Sequence, residues 1–142
     1  MRSSEGFTLI ELLIVVAIIA LIATLAMPNI RDAMQKGKRT ATMADMQTIS
    51  KAIMTYDLEY DTYPIASPTP LGALRPLLEP QYIAELPAAD SWNHEYVYEG
   101  GPDGFTIISY GRDGVPSGPP EGQITDFNHD IRLINGRFVT KP

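Results

Sequence analysis

Two sets of residues in this chain have types and spacings that can do chemistry. The first is Gly6-Phe7 with Glu11 close behind, at the head of the run FTLIELLIVVAIIALIATLAM, which closes at Pro28. Glu11 is the one charged residue between Phe7 and Met27, a stretch of 21 residues. A carboxylate deep in such a segment costs about 2.5–3.5 kcal/mol on membrane-insertion scales, so it calls for a partner. No Lys, Arg or His lies between Phe7 and Pro28, so that partner must come from elsewhere. Cutting the Gly6–Phe7 peptide bond would expose an α-amino group one helical turn before Glu11, on the same face. In a bundle of such helices the amine of one chain can neutralise Glu11 of its neighbour. That pairing would align subunits in one register, as a single buried polar residue does in coiled coils.

The second set lies in residues 111–130, GRDGVPSGPPEGQITDFNHD. Asp113 and Asp126 stand toward its two ends, with Glu121, Asn128 and Asp130 nearby. Hard oxygen ligands of this kind, supplemented by backbone carbonyls, suit calcium. A bound ion would close a loop too rich in glycine and proline to build a core of its own. The spacing is not that of an EF-hand, and by spacing alone these are also ordinary turn residues.

Other chemistries find no footing. His94 and His129 are the only histidines and lie in different parts of the chain, which gives no zinc spacing; both read as surface or turn residues. There is no Ser/His/Asp set, dinucleotide fingerprint or Walker motif. Trp92, in Asp90-Ser91-Trp92-Asn93, reads as a packing anchor. The chain is not expected to be an enzyme.

The 142 residues leave about 115 for one small domain after the apolar segment. Net charge is 11 − 17 = −6, so no nucleic-acid partner is expected. The cations Arg31, Lys36, Lys38 and Arg39 read as a solvated face, or one that meets anionic neighbours in an assembly. Without cysteine, the domain must be held by packing, assembly or a metal.

The elements that must position these residues follow from periodicity. One helix is expected from Phe7 to about Asp61, roughly 80 Å long. It is apolar all round as far as Pro28, which kinks it without ending it. Beyond Pro28 it is apolar on one stripe through Ile30, Ala33, Met34, Gly37, Ala41, Ala44, Ile49, Ala52, Ile53, Tyr56 and Tyr60. Pro64 ends it. Ser67-Pro68-Thr69-Pro70 reads as a connection, with Thr69 and Pro70 as N-cap and first turn of a short helix through Leu71–Leu78, made irregular by Pro76. Tyr96–Tyr98 and Phe105–Tyr110 read as a hairpin connected through Gly100–Gly104. Ile131–Ile134 and Arg137–Val139 read as a second hairpin about Asn135-Gly136. The fold class is α+β: a long N-terminal helix packed on a small antiparallel sheet of three or four strands.

Gly6-Phe7-Thr8-Leu9-Ile10-Glu11, followed by an apolar run ending at Pro28, resembles the class III signal of type IV pilins and type II secretion pseudopilins. Tyr56, the Asp61…Tyr63-Pro64 exit, Leu86-Pro87…Asp90…Trp92 and Ser109-Tyr110-Gly111-Arg112-Asp113-Gly114 are similar to the major pseudopilin family, over nearly the whole chain to about Asp130. Glu5, where the family more often has a cation, and the hairpin after Ile131 depart from its pattern. The resemblance implies a pilin fold divided into a leader (1–6), a transmembrane and assembly helix (7–28) and a periplasmic domain (29–142). That domain comprises the amphipathic helix to about 61, a variable segment (62–94) and a β-sheet with the metal loop (95–142).

The resemblance further implies that a prepilin peptidase cuts between Gly6 and Phe7 and methylates Phe7, with Phe7, Glu11 and Pro28 serving assembly. The product would be an inner-membrane, single-pass subunit of a periplasmic filament that drives type II secretion. Its partners would be further copies in a helical homopolymer, minor pseudopilins and the inner-membrane assembly platform. One structural Ca²⁺ is implied, held by Asp113 and Asp126 and by the backbone carbonyls of Tyr110, Val115 and Asn128, with Asp130 the rival of Asp126. The alternatives are a type IV pilus subunit for adhesion, motility or DNA uptake, a minor tip pseudopilin, and a non-polymerising membrane-anchored module. A secretory signal peptide with Thr24-Leu25-Ala26 as its cleavage site is a further alternative, disfavoured by Glu11.

Overall fold

A computed structural model describes residues 6–118 and 126–139. The first five residues of the expected leader and Glu121 of the loop lie outside that range. The element order is a helix α1 (Leu9–Tyr60), a strand β1 (Ala66–Pro70), a 3-10 turn (Leu71–Leu74), a short helix α2 (Arg75–Leu78), and strands β2 (Val97–Gly101), β3 (Gly104–Ser109), β4 (Ile131–Ile134) and β5 (Arg137–Phe138). This is the expected α+β class.

The chain divides into two compact units, Met1–Gln35 and Lys36–Pro142. In the first, α1 runs through position 28 without a break. Every large apolar side chain from Phe7 to Met34 is exposed, the least so being Val15 at 47%. The segment is long and apolar enough to cross a membrane.

In the second unit the core lies between one face of α1 and the inner face of the sheet. Met46, Ile49 and Ile53 supply the helix side. Tyr98, Phe105, Ile107, Ile131 and Leu133 supply the sheet side, and Leu71, Leu74, Leu78 and Leu86 close it. The buried helix stripe agrees with the expected one at Ile49, Ala52 and Ile53 and differs before them. Thr42, Met46, Ile49 and Ile53 face inward, at steps of four, three and four, whereas Ala41 and Ala44 are exposed. The bulky set has the same period and buries more area, so it takes the core. Arg39, expected on a solvated face, is only 8% exposed. Its burial pushes the guanidinium pKa below its ordinary value.

All five strands form one antiparallel sheet in the order β1-β2-β3-β4-β5. The fifth comes from the Pro-rich segment expected to be a connection. Thr69 and Pro70 pair with Tyr98 and Val97 rather than capping a helix, and no side chain caps the 3-10 turn that follows. Proline is compatible with this position because β1 is an edge strand, whose outward amides have no ladder partner. The first hairpin turns at Pro102-Asp103, since Gly101 pairs with Gly104. The second turns at Asn135-Gly136, with φ of 48° and 80°, the conformation that a two-residue turn of this type requires. Asp61, at φ 56°, ends α1 in the left-handed region before Pro64.

Candidate assembly head and metal loop

Glu11 proves to have a partner within its own helix. The Thr8 amide and hydroxyl both donate to Glu11 Oε2, at 2.9 and 2.7 Å, and the Glu11 amide donates to Thr8 Oγ1 at 3.3 Å. This is a capping box, T-x-x-E, with Thr8 as the N-cap of α1 and Glu11 at the third helical position. The expectation that Glu11 needs a partner from outside its helix is thus corrected in part. Thr8 engages one carboxylate oxygen, but a hydroxyl and an amide do not neutralise the charge. The signal was legible as Thr8-x-x-Glu11. Gly6 and Phe7 precede the helix as exposed residues without regular secondary structure.

The loop after β3 leaves the sheet at Ser109 and returns at Ile131. Its two ends are joined by the Arg112 amide, which donates to the Phe127 carbonyl at 2.9 Å. Asp113 follows one bonded residue and Asp126 precedes the other, so the pairing brings the two exposed aspartates to the same end of the loop. Each is fixed by a local turn. Asp113 Oδ1 accepts from the Val115 amide and Asp126 Oδ1 from the Asn128 amide, both at 3.1 Å. The guanidinium of Arg112, next in sequence to Asp113, donates from Nε to Asn128 Oδ1 at 2.8 Å.

Asp130 stands in a different environment. It is fully buried, with Oδ1 accepting from the amide and hydroxyl of Ser117 and Oδ2 from Arg132 at 3.2 Å. Both its oxygens are engaged in tying the loop to β4.

The donor set suits a hard cation. Two exposed carboxylates flank the Arg112–Phe127 backbone bond, each with one oxygen oriented by an amide. Among the described residues no three His, Cys, Asp or Glu side chains gather into a cluster, so a cation here would depend on backbone carbonyls for most of its shell.

The root of the loop rests on a turn that precedes β2. Asp90, 7% exposed, accepts the amides of Trp92 and His94 at Oδ1, both at 2.9 Å, and the Ser109 hydroxyl at Oδ2, at 2.6 Å. Ser109 Oγ in turn accepts the Gly111 amide at 3.3 Å. The Ser91 amide donates to Thr42 Oγ1, which ties this turn to α1. His94, expected as a surface or turn residue, closes the turn from Asp90 and is half-buried, and its Nδ1 lies 2.8 Å from the Gly111 carbonyl. Sequence spacing gives no signal for these contacts, because Asp90 and Ser109 meet only once the sheet has formed. Trp92 packs against the core, as expected.

The sequence profile of the family described as type II secretion system, protein G, matches residues 29–127, and that of the prokaryotic N-terminal methylation motif matches residues 1–27. Relatives named type II secretion system core protein G share this pattern. The one from Pseudomonas aeruginosa is 33% identical over 129 residues, 82% of this chain and 89% of the relative. Those from Dickeya chrysanthemi and Escherichia coli are 32% identical over 127 residues (81% and 82% of the two chains) and 31% over 128 residues (80% and 88%). No solved structure matches the chain. A helix headed by a methylation motif and a domain matched over residues 29–127 agree with one conclusion: the chain belongs to the type II secretion system protein G family.

Proposed function

We propose that this chain is the major pseudopilin of a type II secretion system, a structural subunit that polymerises through its N-terminal helix. The observation that carries the reading is the wholly exposed apolar face from Phe7 to Met34 at the head of a domain of this family. So much apolar surface is stable only in lipid or among like helices. Processing between Gly6 and Phe7 releases the amine that neutralises Glu11 of a neighbouring copy. Phe7 would then carry the methyl group, and the segment about Pro28 would pack among neighbours in the filament.

The precursor sits in the inner membrane with residues 29–142 in the periplasm. Its partners are further copies of itself, minor pseudopilins, the prepilin peptidase and the inner-membrane assembly platform. The three relatives are all secretion-system proteins by name, which favours this reading over a pilus subunit. One structural Ca²⁺ held by Asp113 and Asp126, with the carbonyls of Tyr110, Val115 and Asn128, would cross-link the loop ends. Asp126 is favoured over Asp130 because Ser117 and Arg132 already engage the latter.

The test is replacement of the chromosomal gene by Glu11→Leu. Loss of exoprotein secretion, with the precursor still cleaved and no filaments on overproduction, is the expected result. Normal secretion and normal filaments from the same strain would refute the assembly role.

A further inference from the structure

We infer that His94 is a positioning residue for the metal loop: its imidazole, held by the Asp90–His94 turn, shapes the segment Gly111–Gly114 before any cation arrives. This rests on the calcium reading above and adds to it a residue outside the ligand set.

The argument is geometric. A carbonyl oxygen only accepts, so the 2.8 Å contact from His94 Nδ1 to the Gly111 carbonyl places the proton on Nδ1. The other ring nitrogen lies against Gly114, where an added Cβ would come within 2.9 Å of Nε2. Gly114 has φ +67° and Gly111 φ +70°, conformations that side-chain-bearing residues rarely adopt. One imidazole thus touches both glycines that bracket Arg112-Asp113. Gly111 is gripped on both sides of its backbone: its amide donates to Ser109 Oγ and its carbonyl accepts from His94.

Asp90 coordinates the two grips, since its carboxylate accepts the backbone amide of His94 and the hydroxyl of Ser109 together. A buried carboxylate satisfied by three donors is a rigid anchor. The backbone on either side of Arg112-Asp113 is therefore held from the Asp90–His94 turn, while the Val115 amide orients the Asp113 carboxylate on it. Loss of a supporting contact of this kind typically costs about 10–100-fold in metal affinity.

The test uses the full chain in detergent, with calcium chloride as the probe. Calcium affinity is measured by titration calorimetry, and amide hydrogen exchange of Arg112 and Val115 is followed in chelator, for wild type, His94→Ala and His94→Asn. We expect His94→Ala to weaken calcium binding about tenfold, the worth of one ordinary hydrogen bond, and to speed exchange at those two amides by a similar factor. His94→Asn, whose side-chain amide can still donate to the Gly111 carbonyl, recovers most of both. Wild-type affinity in His94→Ala overturns the inference. So does exchange that quickens uniformly across the sheet, which would mark a merely structural residue. A wild-type chain that binds no calcium overturns the reading beneath it as well, and the wild-type titration tells that failure apart from the other two.

Discussion

Gly100→Ala is a small substitution with a large expected cost. Gly100 sits in β2, opposite Ala66 on one side and Phe105 on the other. A Cβ there would lie 2.1 Å from Tyr98 Oη and 2.5 Å from the Pro64 carbonyl oxygen. Those two atoms are partners in a buried hydrogen bond of 2.8 Å, which fastens the exit of α1 to the sheet. The methyl group must push them apart. Leaving the buried hydroxyl unpaired costs about 1–3 kcal/mol, and displacing ring and backbone costs about 1–3 kcal/mol more. A total of about 2–6 kcal/mol lowers Tm by roughly 10–25 °C in a domain of this size. Thermal melts followed by circular dichroism on the full-length protein in detergent read this directly. Tyr98→Phe supplies the second corner of a double-mutant cycle. It removes the closest obstructing atom, so the double variant is expected to lose about 1 kcal/mol less than the sum of the singles. A Gly100→Ala protein with wild-type Tm, or strict additivity in the cycle, would refute the reasoning.

Three further outcomes are expected. If calcium binds as proposed and raises the wild-type Tm, Asp113→Ala abolishes that rise and leaves Tm in chelator nearly unchanged, because its carboxylate is exposed and makes only a local turn; an undiminished calcium increment would remove it from the ligand set. Asp130→Ala costs about 3 kcal/mol with or without calcium, since it strands Arg132 and unties Ser117; chemical denaturation in chelator measures this. Burial holds the Tyr96 and Tyr98 hydroxyls above their ordinary pKa. The unfolded chain releases those protons at about pH 10 while the folded chain retains them, so stability is unaffected below that pH and falls as pH rises past it. Replacing both by Phe should flatten the alkaline limb of a stability-against-pH curve.

Much of this architecture was readable beforehand where local chemistry and tertiary demand agree. Asn135-Gly136 specifies its turn by itself, and Asp61 to Pro64 stops a helix whatever surrounds it. The apolar segment from Phe7 is legible because it needs no partner within the chain. The failures share a cause. Ser67-Pro68-Thr69-Pro70 looks like a loop because proline opposes strands in general, yet on a sheet edge its missing amide goes unnoticed. Ala41 and Ala44 fit the helical period as well as Thr42 and Met46 do, and volume against the sheet decides between them. Asp113 and Asp126 are visible as donors. The supports at Asp90, His94 and Ser109 are not, because a carboxylate and a hydroxyl 19 residues apart acquire meaning only when β3 passes the turn.

In the proposed function the exposed apolar helix is buried among copies of itself, with Glu11 setting their register. The structure of the assembled filament, determined by electron cryomicroscopy, tests this most directly. It should place Leu9–Met27 of every copy at the filament axis, with the Glu11 carboxylate within hydrogen-bond distance of the Phe7 amine of a neighbouring subunit. A filament whose copies touch only through their residue 36–139 domains, or in which Glu11 faces no amine, would contradict it.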